Sequence, residues 1–147
     1  MRYTLLIVSA IIILTGCDKK DNTVGPTTES PLSVSEVINS NVYTFSINKN
    51  VFNFNDTIKA GMTATNIGTD TNTIIIPCYG LQWALVNGRG KTVMNGPTIF
   101  CYSLRYEPVV PHQTIWLGGI NILISDTSLH GNYIMSADGL SLNLSIR

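Results

Sequence analysis

Leu140-Ser141-Leu142-Asn143-Leu144-Ser145-Ile146 places an apolar side chain at every second position and a small polar one between. A strand with one face in a core and one in water has this period, whereas a helix buries every third or fourth residue. Val42-Tyr43-Thr44-Phe45-Ser46-Ile47 repeats the pattern, and Ile58, Ala60, Met62 and Ala64 alternate with Thr57, Lys59, Gly61, Thr63 and Thr65. Thr73 to Ile76 is a β-branched run, and Leu81 to Val86 turns at Asn87-Gly88-Arg89-Gly90 into Lys91 to Met94, as a hairpin does. Thr114 to Leu117, Ile120 to Ile124 and Tyr133 to Ser136 supply further short strands. The stretch from Asn66 to Asn72 is turn chemistry throughout. No segment after residue 41 shows a helical period. About eight or nine short strands joined by Gly, Asn and Asp turns predict an all-β antiparallel sandwich over residues 41–147, with an up-and-down barrel as the rival arrangement.

The N-terminus carries a different signal. Arg2 precedes the apolar run Leu5 to Leu14, and Leu14-Thr15-Gly16-Cys17 closes it. A positive start, a short apolar middle and small residues before a processing point form a secretory signal. The run is too short for the ~20 residues that span a bilayer. Its ending resembles the lipobox of bacterial lipoproteins. That resemblance implies a signal peptide over 1–16, lipidation of Cys17, and anchoring to a membrane of the bacterial cell envelope, periplasmic or surface-facing.

Residues 17–40 hold two prolines and a glycine among polar residues and are expected to be a flexible linker. Ser33-Val34-Ser35-Glu36 matches a capping box, so one helical turn near Val37 is the other reading. With Cys17 assigned to the anchor, Cys78 and Cys101 form an even pair that an oxidising compartment would bridge, or they are two buried thiols. A bridge would close residues 78–101 into a loop.

Composition bounds the partners. Only 12% of residues are charged and the formal net charge is +0. The basic residues beyond Asn41 stand singly among acidic ones, so the clustered cations that neutralise phosphates are missing and nucleic acid is not expected. A protein or glycan partner fits a neutral, hydrogen-bonding surface better. His112 and His130 are the candidate neutral-pH bases, each beside a turn residue, and no Gly-x-Ser-x-Gly elbow accompanies Ser125-Asp126. Neither C-x-x-C nor H-x-x-x-H metal-ligand spacing occurs. The expectation is a protein that is not an enzyme and needs no metal or cofactor.

Between Asn95 and His112 the alternation lapses, with Pro97, Pro108 and Pro111 and the aromatic residues Phe100, Tyr102 and Tyr106. These aromatics form either a binding loop on a rigid scaffold or a cap on the core. Near the C-terminus, Gly131-Asn132-Tyr133 at a strand entrance resembles the tyrosine corner of immunoglobulin-like domains, in which the phenol locks an inter-sheet connection. An ordinary hairpin with a surface tyrosine is the alternative.

The order of features over residues 56–136 is also similar to the bacterial BsuPI-type proteinase-inhibitor domain. The matching pieces are Thr65-Asn66 with its polar turn, Ile74-Ile75-Ile76, Gln82-Trp83-Ala84-Leu85-Val86 with its hairpin, Val110-Pro111-His112-Gln113-Thr114, Trp116 and Gly131-Asn132-Tyr133. The family usually has glycine where His112 stands, and the cysteine pair is not part of its pattern. The resemblance implies an immunoglobulin-like fold. It also implies, as the alternative to a non-catalytic binding or structural module, a peptidase inhibitor presenting the 95–106 loop.

Overall fold

The computed structural model describes residues 31–77, 80–96 and 104–147, and over these residues the protein is an all-β sandwich. One sheet contains β1 (Leu32–Ile38), β2 (Asn41–Ile47), β4 (Thr57–Asn66) and β9 (Thr114–Leu123), adjacent in that order. The other runs β3 (Val51–Phe52), β11 (Leu140–Ile146), β10 (Gly131–Ala137), β6 (Trp83–Asn87) and β7 (Thr92–Asn95). β5 (Asn72–Pro77) and β8 (Leu104–Val109) pair as a separate ribbon. Pairing is antiparallel except for β3 against β11. An early segment thus splits between the sheets, β2 joining β4 and β9 while β3 edges β11, β10 and β6. That is the immunoglobulin arrangement, with β7 as an added edge strand.

The alternation dictates the core. Phe45, Ile47, Ile58 and Met62 face Phe52, Leu85, Met135, Leu144 and Ile146 across the two sheets, all buried in one cluster. Ala64, Ile74, Ile76 and Val109 make a smaller cluster under the β5–β8 ribbon. Two hairpins are closed by two-residue turns whose central residues all have positive φ: Asn39-Ser40 at 48° and 63°, and Asp138-Gly139 at 45° and 91°. Such turns match the strand twist and fix the register.

Four features depart from the expected strand list, raising the count to eleven among the described residues. The sandwich begins at Leu32 rather than Asn41, because Leu32 and Val34 pack on the core and β1 pairs with β2 along its whole length. The Ser-x-x-Glu spacing there belongs to a strand with alternating serines, not to a helix cap. β9 is a single strand where Thr114 to Leu117 and Ile120 to Ile124 were expected as two; Met62 pairs with Gly118 and Thr63 with Trp116, so Leu117 is the extra residue of a β-bulge. β8 lies inside the supposed long loop and tolerates Pro108 because it belongs to a two-stranded ribbon. The two residues of β3 are too few to show a period.

A buried polar group ties the ribbon to the first sheet. Asn66 is 0% exposed. Its Nδ2 donates to the carbonyls of Asp70 and Val109, both at 2.8 Å, and its Oδ1 accepts from the Gly68 amide at 2.8 Å and Asn72 Nδ2 at 3.1 Å. Its backbone adds bonds to Gln113 and His112. Every hydrogen-bonding direction that this amide offers is used.

Candidate functional site

The sequence-predicted residues fall into three groups. Cys17, Cys78, Phe100, Cys101 and Tyr102 lie outside the described residues. Tyr106 is not on a loop: it sits in β8 opposite Ile75, and both side chains are more than half exposed. The proposed 95–106 loop therefore loses its last three residues to a strand, and Tyr106 does not cap the core. Gly131 opens β10 with φ 128°, and Tyr133 is buried in the main cluster, in register with Leu144 and Asn87. His112 and His130 are both exposed and stand in different turns, one before β9 and one just before β10. His112 has φ 64° at the third position of a turn closed by Gln113 N–H donating to Val110 O at 3.1 Å. A positive φ there defines a position that glycine fills most easily, with Pro111 in its favoured place just before.

The structure brings together a site that these residues do not include, on the outer face of the first sheet. Period two sends Ser33, Ser35, Thr44, Ser46, Thr63, Thr65 and Thr114 outward. Ser35 and Thr44 share a hydroxyl bond of 2.8 Å, as do Thr65 and Thr114. Trp116 stands on the same face, 59% exposed. The bulge at Leu117 is the reason: the extra residue shifts the phase of β9, so that Trp116 and Gly119, three apart, both point outward.

The indole then folds flat along the sheet. A Cβ added to Gly61 would fall 1.9 Å from Trp116 Cη2, and one added to Gly119 would fall 2.6 Å from Cζ2. These two glycines are cross-strand partners, so the missing side chains leave a smooth backbone bed on which the ring rests. Beside it opens a groove of ≈ 320 Å³, lined among others by Pro31, Ser46, Asn48, Lys59 and Asn121. Ser46 Oγ donates to Gly61 O at 3.4 Å, and Asn48 Oδ1 accepts from the Lys59 amide at 2.8 Å. Next to Asn48 in the chain, Lys49 pairs with Asp56. The Lys49 hydrogen bond, helped by the Asn53 amide, holds the Asp56 carboxyl below the usual carboxylate range. That pair neutralises itself, leaving Lys59 as the charged side chain lining the groove among the described residues.

The arrangement can stack a flat ligand on the indole and hydrogen-bond its edges through hydroxyl and amide groups. Sequence patterning misses it because Trp116 reads as one more strand residue. The available signal was glycine inside strands, at Gly61 and at Gly118-Gly119 beside a tryptophan, where close approach of another group is the usual cause. Among the described residues no three His, Cys, Asp or Glu side chains cluster as metal ligands would.

No family model matches the chain, and no curated protein matches it in sequence. Among solved structures, it is similar to a mutant β-glucosidase from Listeria innocua in complex with laminaribiose, at 10% identity and TM-score 0.40, over 78% of this chain and 16% of that one. The β-glucosidase from Listeria innocua in complex with gluconolactone is similar at 9% identity and TM-score 0.39, over 76% and 16% of the two chains. This chain therefore spans 16% of the length of those enzymes, and likenesses this slight carry no argument about its activity.

Proposed function

We propose that this protein is a lipid-anchored lipoprotein of the bacterial cell envelope whose β-sandwich works as a binding module without catalysis. The observation that carries the binding reading is the Trp116 platform: a large aromatic side chain kept on the surface and immobilised on two glycines. An indole exposed at a soluble surface leaves apolar area in water, and holding it flat and rigid lowers the entropy lost when a ligand covers it. The anchoring reading rests on the charged, apolar and small-residue order ending at Cys17. Acylation of that cysteine, followed by the polar stretch after it, would hold the sandwich beside a membrane.

Fractionation of cells making the full chain or its Cys17→Ser variant tests the anchor. The wild-type protein is expected in the membrane fraction and labelled by a fatty-acid tracer. The variant is expected unlabelled and soluble. Membrane retention of Cys17→Ser, or an unlabelled wild-type protein, overturns the anchoring reading.

A further inference from the structure

We infer that the Trp116 face binds a glycan, specifically a chain of β-linked pyranoses with equatorial substituents, stacked on the indole. This deepens the binding reading above and rests on it. Three observations select this ligand chemistry. First, the large apolar contact on offer is the one indole ring: of the other apolar residues lining the groove, Ile47 and Ala60 are buried in the core and Pro31 and Ile120 stand at its margin, while Ser46, Thr63 and Asn121 surround the ring. Protein partners are held by clusters of buried anchors within an interface of about 800 Å² per side, a wider apolar centre than this single ring and its margin provide. An equatorially substituted pyranose presents the reverse pattern: a flat patch of axial C–H groups matching the negative face of the indole, with hydroxyls at the rim.

Second, the rim chemistry is complementary. Ser, Thr and Asn side chains both donate and accept, as sugar hydroxyls require, whereas a phosphate-rich or acidic polymer would call for several cations where this groove has Lys59. Third, the ring is pre-positioned. The bulge aims it, and the Gly61–Gly119 pair holds it against the sheet, so stacking costs little side-chain ordering. The groove of ≈ 320 Å³ is at the small end of ligand clefts, which fits one or two sugar rings lying along the face.

The test uses the full-length lipoprotein in detergent, titrated calorimetrically with chitotetraose, cellotetraose and the α-linked maltotetraose, together with co-sedimentation on purified peptidoglycan sacculi. Binding of chitotetraose or cellotetraose in preference to maltotetraose is the expected result. The N-acetylated probe and sacculi together indicate a peptidoglycan source, and cellotetraose alone a plain glucan. Trp116→Ala should weaken binding by about tenfold or more, with melting temperature unchanged. Gly119→Ala keeps the tryptophan but puts a Cβ into its ring, and should weaken binding as well.

No saturable binding of any tetrasaccharide by the wild-type chain overturns the inference, as does undiminished binding by both variants. A wild-type dimer that Trp116→Ala converts to monomer, without sugar binding, also overturns it and assigns the platform to self-association. The anchor test is independent: a Cys17→Ser protein that leaves the membrane while the wild type ignores every sugar removes the glycan and keeps the anchored module.

Discussion

At the scale of single residues, Asn66 concentrates more of the design than any titratable group. Four side-chain hydrogen bonds converge on a fully buried amide, so its removal strands the buried Val109 carbonyl and leaves the part-buried Gly68 amide without its partner. Asn66→Ala should cost about 2–4 kcal/mol in urea unfolding, near the sum of two unsatisfied groups. Asn66→Asp is the sharper test. Its second oxygen would face the carbonyls of Asp70 and Val109, so the buried carboxylate would be disfavoured and its folded-state pKa raised. A raised folded pKa means that stability is kept at acid pH and lost as pH climbs through the carboxylate range toward neutrality. An Asn66→Asp protein whose stability tracks the wild type from pH 4 to 7 would show that the amide is not held as described. The sequence marked this asparagine as a turn residue; it is the last residue of β4, and its Oδ1 accepts from the Gly68 amide as the turn begins. Its bond to a carbonyl on β8 was invisible, because β8 could not be read from a segment carrying prolines and no alternation.

Elements were legible where period two runs over four or more residues facing one core, as in β2, β4, β10 and β11. They were obscured where another pattern overlaid the period. In β1, serines alternate with Leu32 and Val34, but Glu36 completes a helix-cap spacing and a polar neighbourhood suggests a linker. In β9, the double glycine imitates a turn, and only the pairing with β4 shows a bulge. The domain boundary offers a direct check. A chain starting at Asn41 exposes the edge of β2 and loses the partly buried Leu32 and Val34. It should be less stable than one starting at Pro31 by roughly 2–3 kcal/mol, measured as a lower urea midpoint. Equal midpoints would make β1 an ornament of the fold. The Trp116 platform was the least legible element of all, since it depends on a bulge, a cross-strand glycine pair and a ring orientation at once.

Across the whole molecule, the chain's route would give a bridge between Cys78 and Cys101 a topological role. After Pro77, which pairs with Leu104 at the end of the β5–β8 ribbon, the chain forms β6 and β7 in the second sheet and then returns to β8. Cys78 and Cys101 are at the two ends of that excursion in sequence. A bridge between them would fasten the β6–β7 hairpin's departure and return at one place, with a contribution of roughly 3 kcal/mol from the chain entropy of the loop. Mass spectrometry after alkylation should find neither thiol modified in protein purified without reductant, and two modified thiols would exclude the bridge.

The chain also enters the sandwich beside its platform, because Pro31, immediately before β1, lines the same groove as Trp116. Under the proposed lipidation of Cys17, residues 18–31 would form the connection to the membrane, and that many residues span at most roughly 50 Å when fully extended. Attachment at that corner, rather than at the far end of the sheets, would make the length of this connection nearly the radius that Trp116 can reach. A polymer within that shell would meet the platform at a high effective concentration, and one beyond it would not be met at all. The membrane would thereby serve as the origin of a ruler, and modest affinity for each sugar would suffice for a contact repeated wherever the glycan passes within reach.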